Sequence, residues 1–202
     1  MDRAKKALLI GLVLGDGYLN SNSGVALEIE HAAAQKFYIE YKSNLISKLL
    51  KCKSPKLYYR TNKNTYKISK GHRYFKILKK WIYINNSKKI TKKILNYLTP
   101  EAIAIWWMDD GSHSIDKRKS TGKVTAHSFH LYTYTSEEET NDIISFFKEQ
   151  YNIQFYPIRR KMKTGEYKFY IKCRTKEGRK LSNLLRPYIL PEFSYKIMKE
   201  SE

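Results

Sequence analysis

Two dense apolar runs, each closed by an aspartate and a glycine, divide this chain of 202 residues. The first covers residues 4–14 (AKKALLIGLVL) and runs into Gly15-Asp16-Gly17. The second covers residues 100–108 (PEAIAIWWM) and runs into Asp109-Asp110-Gly111. Asp16 and Asp110 stand 94 residues apart, almost half the chain. A helix that is apolar on every side has no face to offer water and must be enclosed by the rest of the fold. Two such helices in a small chain compete for one core. Their small residues, Gly11, Gly15, Ala102 and Ala104, are the candidates for a close mutual contact. Thr99 and Pro100 supply a cap and a first-turn proline for the second helix.

The segments after the two runs also repeat. Beyond Gly17 the pattern predicts a polar turn over residues 20–24 and a strand over 25–30. Beyond Gly111 it predicts a longer polar turn through Lys123 and a strand over 124–135. An amphipathic helix comes next in both halves. Phe37, Tyr41, Leu45 and Leu49 recur at i, i+4 spacing in the first. In the second, Ser136-Glu137-Glu138-Glu139 has the capping-box form, followed by an apolar face of Ile143, Ile144 and Phe147. Two further strands are predicted over residues 56–61 and 65–70, and their counterparts over 153–161 and 166–173, joined at Thr164-Gly165. Helices over 74–84 and 180–188 close the halves. The order expected for each half is helix, two strands, helix, two strands, helix, although these runs delimit only one of the two strands before the second helix. The expected fold is α+β with an internal duplication, divided into residues 1–92 and 93–202.

Composition narrows the function. Hydrophobic residues at 42% are enough to bury a core and exclude wholesale disorder. Lysine and arginine number 39 against 19 acids, a net charge of +20, and such a surface seeks a polyanion, foremost nucleic acid. No run approaches the roughly 18 to 20 apolar residues of a membrane span. The stretch over 7–14 lacks a small-residue cleavage site, so no secretory signal is expected. Cys52 and Cys173 have no ligand-like spacing and read as free thiols of a reducing, intracellular compartment. The histidines suggest no zinc site, since His127 and His130 would point to opposite faces of a strand. Richness in Lys, Asn, Ile and Tyr suggests an AT-rich genome, organellar or bacterial.

An aspartate at a helix C-terminus meets the negative end of the macrodipole and unsatisfied carbonyls. Asp16 and Asp110 are therefore poor structural caps, but carboxylate and carbonyl oxygens together suit Mg²⁺. If the two apolar helices pack side by side, both acids lie at the foot of a shared interface. Paired carboxylates holding divalent metals serve in-line displacement at phosphodiesters.

The residues Leu9-Ile10-Gly11-Leu12-Val13-Leu14-Gly15-Asp16-Gly17 resemble the nine-residue signature of the LAGLIDADG homing endonucleases. The residues Ile103-Ala104-Ile105-Trp106-Trp107-Met108-Asp109-Asp110-Gly111 look like its second copy. Leu98-Thr99-Pro100 and Leu190-Pro191 with Tyr195-Lys196 are similar to flanking segments of the single-chain, intron-encoded branch. The likeness runs from about residue 7 to 197. It implies two pseudo-symmetric halves packed through the motif helices, with antiparallel sheets forming a DNA-binding saddle. It also implies a monomeric, divalent-metal-dependent enzyme that promotes intron or intein homing. Such an enzyme cuts across the minor groove to leave short 3′ overhangs. Carried over by position, the metal ligands are Asp16 with the Gly15 carbonyl and Asp110 with the Asp109 carbonyl. Mg²⁺ is the expected ion, with Mn²⁺ substituting and Ca²⁺ supporting binding without cleavage. Basic residues near each centre correspond to Lys196 and to the pair Lys88-Lys89. Thr91 replaces the family's usual proline there, which leaves the choice within the pair open; the repeat slightly favours Lys89.

Strand alternation nominates the DNA contacts. Lys56, Tyr58 and Arg60 share one face of a predicted strand, and Lys168, Tyr170 and Lys172 share one face of another. Asn20, Lys67, His130, Tyr132, Tyr134 and Arg160 complete the candidate set. The partner is double-stranded DNA, whose major groove admits a strand pair. Two alternatives stay open: a splicing maturase that binds intron RNA, and a non-catalytic DNA-binding regulator. A reverse transcriptase is excluded despite Met108-Asp109-Asp110, because the chain is too short and the acids follow a helix instead of a hairpin.

Overall fold

A computed structural model describes residues 2–21 and 24–199. Helix α1 (Arg3–Leu14) is capped by Asp2, whose carboxylate accepts from the Lys5 amide at 2.8 Å. Strands β1 (Tyr18–Asn20) and β2 (Ala26–Ala32) come next, then α2 (Lys36–Leu50), β3 (Tyr58–Arg60), β4 (Thr65–Gly71) and α3 (Arg73–Ile82). A two-stranded ribbon of β5 (Tyr83–Ile84) and β6 (Ser87–Lys88) and a single-turn α4 (Lys92–Leu95) lead into α5 (Pro100–Asp110). The second half repeats the order as β7 (Gly111–Lys117), β8 (Val124–Thr135), α6 (Glu137–Tyr151), β9 (Tyr156–Lys161), β10 (Tyr167–Arg174) and α7 (Thr175–Leu185). Two 3₁₀ turns, Arg186–Tyr188 and Pro191–Lys196, end the described chain.

The sheets carry the duplication. The first has the order β1-β2-β4-β3 and the second β7-β8-β10-β9, all antiparallel. One face of each sheet is covered by helices. Leu27, Ile29 and Ile68 are buried on the first, and Phe129, Leu131 and Ile171 on the second. The opposite faces are open.

Between the halves run α1 and α5, buried from Ala7 to Leu14 and from Ala102 to Met108. Their approach is close enough that a methyl at Gly11 would strike the Ala102 carbonyl, and one at Gly15 would strike the Asp109 carboxylate. Both expected glycine contacts are thus made. Thr99 caps α5 by accepting from the Ala102 amide, with Pro100 in the first turn. The capping box at Ser136 and Glu139 is complete. Glu139 also ties the halves together, since Oε1 accepts from the Ile90 amide at 2.8 Å and Oε2 from Lys89 Nζ at 3.2 Å.

Several elements differ from the sequence pattern. Part of each predicted polar turn is an edge strand instead, β1 and β7, because Leu19 and His113 reach the core face while their backbones pair with β2 and β8. The turn predicted over 20–24 therefore begins on Asn20 of β1, and its residues 22 and 23 lie outside the described residues. Strand β3 keeps only three of the six predicted residues. Pro55 and Lys56 precede it as connection, and the Pro55 carbonyl accepts from Ser43 Oγ. Helix α7 starts at Thr175, ahead of the predicted 180, and gives way to a 3₁₀ turn at Arg186-Pro187. The stripe predicted for α2 is rotated. Its buried face is Tyr38, Ile39, Lys42, Ser43, Ile46, Leu49 and Leu50, while Phe37, Tyr41 and Leu45 are only partly covered.

Candidate active site and nucleic-acid interface

The two motif helices deliver their acids to one place. Gly17 donates its amide to the Leu12 carbonyl at 3.0 Å, which turns the chain sharply and leaves the Asp16 side chain 42% exposed. Asp110 ends α5, where its Oδ2 accepts from Trp106 Nε1 at 3.1 Å. Burial, then Asp109 and Asp16, push the Asp110 carboxyl up to about 7. Burial and the Asp109 charge also raise Asp16. The acids are crowded, and each gains from a cation.

Each helix end is met by one lysine. The ribbon β5–β6 turns through Asn85 and Asn86, both at positive φ (49° and 58°), which suits a two-residue hairpin turn. That turn places Lys88, whose Nζ donates to the carbonyls of Val13 at 2.6 Å and of Gly15 and Gly17 at 3.1 Å. At the other helix, Lys196 Nζ donates to the carbonyls of Met108 at 2.6 Å and Asp109 at 3.3 Å. The Lys196 carbonyl is in turn held by Trp107 Nε1 at 3.0 Å. Burial lowers both ammonium groups from their ordinary value, and the surrounding aspartates oppose it. Lys88 and Lys196 are thus equivalent, each on the carbonyl that precedes a motif acid. Lys89 points to Glu139 instead, so the geometry favours Lys88 where the repeat had leaned to Lys89.

A buried cluster that sequence reasoning missed stands beside Asp16. Lys42 and Asp109 have fully buried side chains, with Lys42 Nζ 2.7 Å from Oδ1 and 2.8 Å from Oδ2. Asp109 Oδ2 also accepts from the Asp16 amide at 3.0 Å. His31 lies 3.0 Å from Lys42 Nζ through Nε2 and 3.6 Å from Asp16 Oδ2 through Nδ1. Burial and the Lys42 charge depress its imidazole to about 4, so it is neutral near pH 7. Asp16, His31 and Asp109 offer ligand atoms within 4.8 Å of one another, spacing that could hold a metal. The Asp109 carboxylate is already engaged by the Lys42 ammonium and the Asp16 amide, however, which leaves the Asp16 carboxylate as the more open oxygen donor of this cluster. The signal in the sequence was a lysine with Tyr38, Ile39 and Ile46 at helical spacing around it, a charge set within an apolar stripe.

Comparison with known proteins decides the family. Residues 6–181 match the LAGLIDADG DNA endonuclease family. The chain belongs to that family. A probable intron-encoded endonuclease 1 of Wickerhamomyces canadensis is 30% identical over 98% of this chain and 85% of its own length. A probable intron-encoded DNA endonuclease 3 of Mycosarcoma maydis is 29% identical over 64% of this chain and 90% of its own. Among solved structures, the homing endonuclease I-WcaI bound to its DNA recognition sequence superimposes with a TM-score of 0.75 at 27% identity. That match covers 98% of this chain and 87% of the other. The expected two-halved α+β fold of a LAGLIDADG homing endonuclease is therefore the fold observed.

In this LAGLIDADG protein the nominated strand residues lie mostly on the open faces. Asn20, Tyr58, Arg60 and Lys67 share one through the registers Asn20↔Ala26, Tyr58↔Lys67 and Arg60↔Thr65. Lys56 is exposed but outside the sheet. This face also carries two acids that the pattern did not single out. Glu28 accepts from Lys67 at 2.8 Å and from Asn20 at 3.2 Å, and Glu30 accepts from Arg60 at 3.0 Å. On the second sheet, His130, Tyr132, Tyr134, Lys168, Tyr170, Lys172 and Arg160 share the open face. A β-bulge opposite Tyr170, with Tyr134 at φ 47°, lets His130, Tyr132 and Tyr134 all pack around the Tyr170 ring. Arg160 donates to the Tyr134 hydroxyl at 2.7 Å. His127 faces the core and pairs with His113 at 2.9 Å, opposite in direction to His130 as its strand spacing implies.

Proposed function

We propose that this homing endonuclease cuts both strands of a long, specific DNA duplex. Asp16 and Asp110 with the Gly15 and Asp109 carbonyls would hold divalent metal, Mg²⁺ foremost. The observation that carries the reading is the meeting of two acids and two half-buried lysines at the ends of the paired helices α1 and α5. The donor set fits a hard cation, because the proposed ligand atoms, on Asp16, Asp110 and the Gly15 and Asp109 carbonyls, are all carboxylate or carbonyl oxygens. A further sign is the Asp110 carboxyl held near 7, since crowded carboxylates favour a bound positive charge. A bound divalent cation supplies Lewis-acid activation of water and stabilises the departing oxygen.

The chain's own residues supply the rest. Lys88 and Lys196 bring positive charge to the phosphodiester from either side of the helix pair, and their depressed ammonium groups can give up a proton to the leaving oxygen. The open sheet faces bind the duplex on both sides of the scissile bonds. Strand-borne Arg60, Lys67, Arg160, Lys168 and Lys172 reach phosphates and base edges, and the tyrosines offer stacking surfaces. Residues 1–92 and 93–202 act as the two halves of a monomer, each serving one side of the target. An organellar or bacterial location accords with the intron-encoded relatives and the AT-rich coding bias. No helix among the described residues is long and apolar enough to cross a membrane.

Incubation with a library of long randomised duplexes and Mg²⁺, followed by sequencing of cut ends, tests the proposal. The expected result is one long consensus with both strands cut, Mn²⁺ substituting for Mg²⁺ and Ca²⁺ giving binding alone. Tight, specific binding of duplex with no cut strand would turn the reading to the regulator. Preference for intron RNA without duplex cleavage would turn it to the maturase.

A further inference from the structure

The two halves of this protein provide an internal control on the buried cluster. Asp109 precedes its motif acid as Gly15 precedes Asp16. Lys42 is the seventh residue of α2, and the seventh residue of the equally long α6 is Ile143. Glu28 and His130 pair with the residues after the two motif glycines, which makes Ile29 the counterpart of Leu131. Beyond them His31 pairs with Tyr66 and, past the β-bulge, Thr135 pairs with Phe169, each partner two residues before that of Ile29 or Leu131. A lysine and a histidine from the first half and an aspartate from the second thus correspond to isoleucine and threonine from the second and glycine from the first. The same architecture closes in both, so the charged set is not a requirement of the fold. Nor does a buried ion pair add much net stability, since desolvation offsets most of its attraction.

What the pair does is local. The Asp109 carboxylate reaches across the helix interface into the space that a side chain at Gly15 would fill, and it holds the Asp16 amide. Lys42 fixes that carboxylate through both oxygens, and His31 bridges from Lys42 towards Asp16. On the Asp110 side the corresponding region is a cavity of about 330 Å³ lined by Lys88, Trp106, Asp110, Thr133 and Thr135. Asp16 is braced through its amide by the charged cluster, whereas Asp110 is held by the Trp106 indole and stands beside open space.

We propose that Lys42 and the Asp109 carboxylate are positioning residues for the Asp16 centre alone, so that the cuts in the two DNA strands depend on different residues. The proposal rests on the reading of Asp16 and Asp110 as the catalytic acids. Replacing both partners, Lys42→Met with Asp109→Asn, leaves no orphaned charge in the core. With a target duplex labelled separately on each strand, this double variant should cut one strand slower than the other by roughly tenfold to a hundredfold. Nicked duplex should accumulate, and affinity in Ca²⁺ should stay at the parent value. A role in stability alone would lower the melting temperature and slow both strands together. Equal rates on the two strands, whether parental or reduced, would overturn the proposal. Should the double variant fail to fold, His31→Gln removes one strut while sparing the ion pair, and the same strand bias, or its absence, decides. Asp16→Asn run in parallel separates the two readings. If it cuts at the parent rate, the catalytic assignment has failed; if it is inactive while the pair variants show no strand bias, only the positioning role has.

Discussion

Asp110 and His31 titrate in opposite senses. Asp110 keeps its proton to about 7 against an ordinary 3.8. Between those values the folded protein binds more protons than the unfolded chain, so its contribution to stability falls as pH rises. His31 is depressed to about 4 from 6.5, so over that window the unfolded chain binds more protons and stability rises with pH. In metal-free protein, Asp110→Asn should remove the falling component and His31→Gln the rising one. Urea melts of the parent and each variant from about pH 4 to 7.5 read this as the difference between parent and variant. A difference of the wrong sign for either residue would show that its carboxyl or imidazole is not held as described. At this scale the sequence disclosed the motif acids, because aspartate at a helix C-terminus is costly. It did not disclose Lys42, because a pattern of charges and apolar residues assumes that lysine faces water. Choosing between Lys88 and Lys89 was likewise beyond it, since one residue of register in a two-residue hairpin decides which side chain turns inward.

The helices α1 and α5 behave as a single element with a contact plane fixed by Gly11. In an exposed helix, alanine in place of glycine stabilises by about 1 kcal/mol. At Gly11 the added methyl meets the Ala102 backbone, which cannot swing aside as a side chain can. Gly11→Ala should therefore destabilise by about 1–3 kcal/mol net, in the range of overpacked cores. Gly71 on β4 has open space where a methyl would stand and supplies a control in which the same change is nearly neutral. Urea unfolding of both variants checks the pair, and a stabilised Gly11→Ala would mean that the helices are not so closely packed. The apolar density of residues 4–14 and 100–108 made these elements readable, because nothing else can enclose them. Strands β1 and β7 were hidden because edge strands are held by backbone pairing and need few apolar side chains. In α2 the periodicity was correct, but aromatic residues at partly covered positions drew the predicted face away from the buried one.

The whole molecule is a duplicated frame with unequal contents. Strand order is the same in both sheets, yet the open faces differ in chemistry. Glu28 and Glu30 hold Lys67 and Arg60 in fixed positions on the first, whereas the second gathers His130, Tyr132, Tyr134 and Tyr170 beside the basic Arg160 and Lys172. Duplication was legible in the spacing of the motifs, because two matched sets of elements recur in one order. The inequality was not, since alternation assigns a residue to a face without saying which neighbour it meets there. Across this uneven frame the central claim is that Asp16 and Asp110 do the chemistry and leave DNA affinity to the sheets. The direct measurement uses supercoiled plasmid carrying the selected target, with Asp16→Asn and Asp110→Asn each assayed for nicked and linear product beside a binding titration in Ca²⁺. An amide is a poor ligand for Mg²⁺, so each variant should lose linear product while binding DNA as tightly as the parent or slightly tighter. Linear product formed at the parent rate by either variant would contradict the claim.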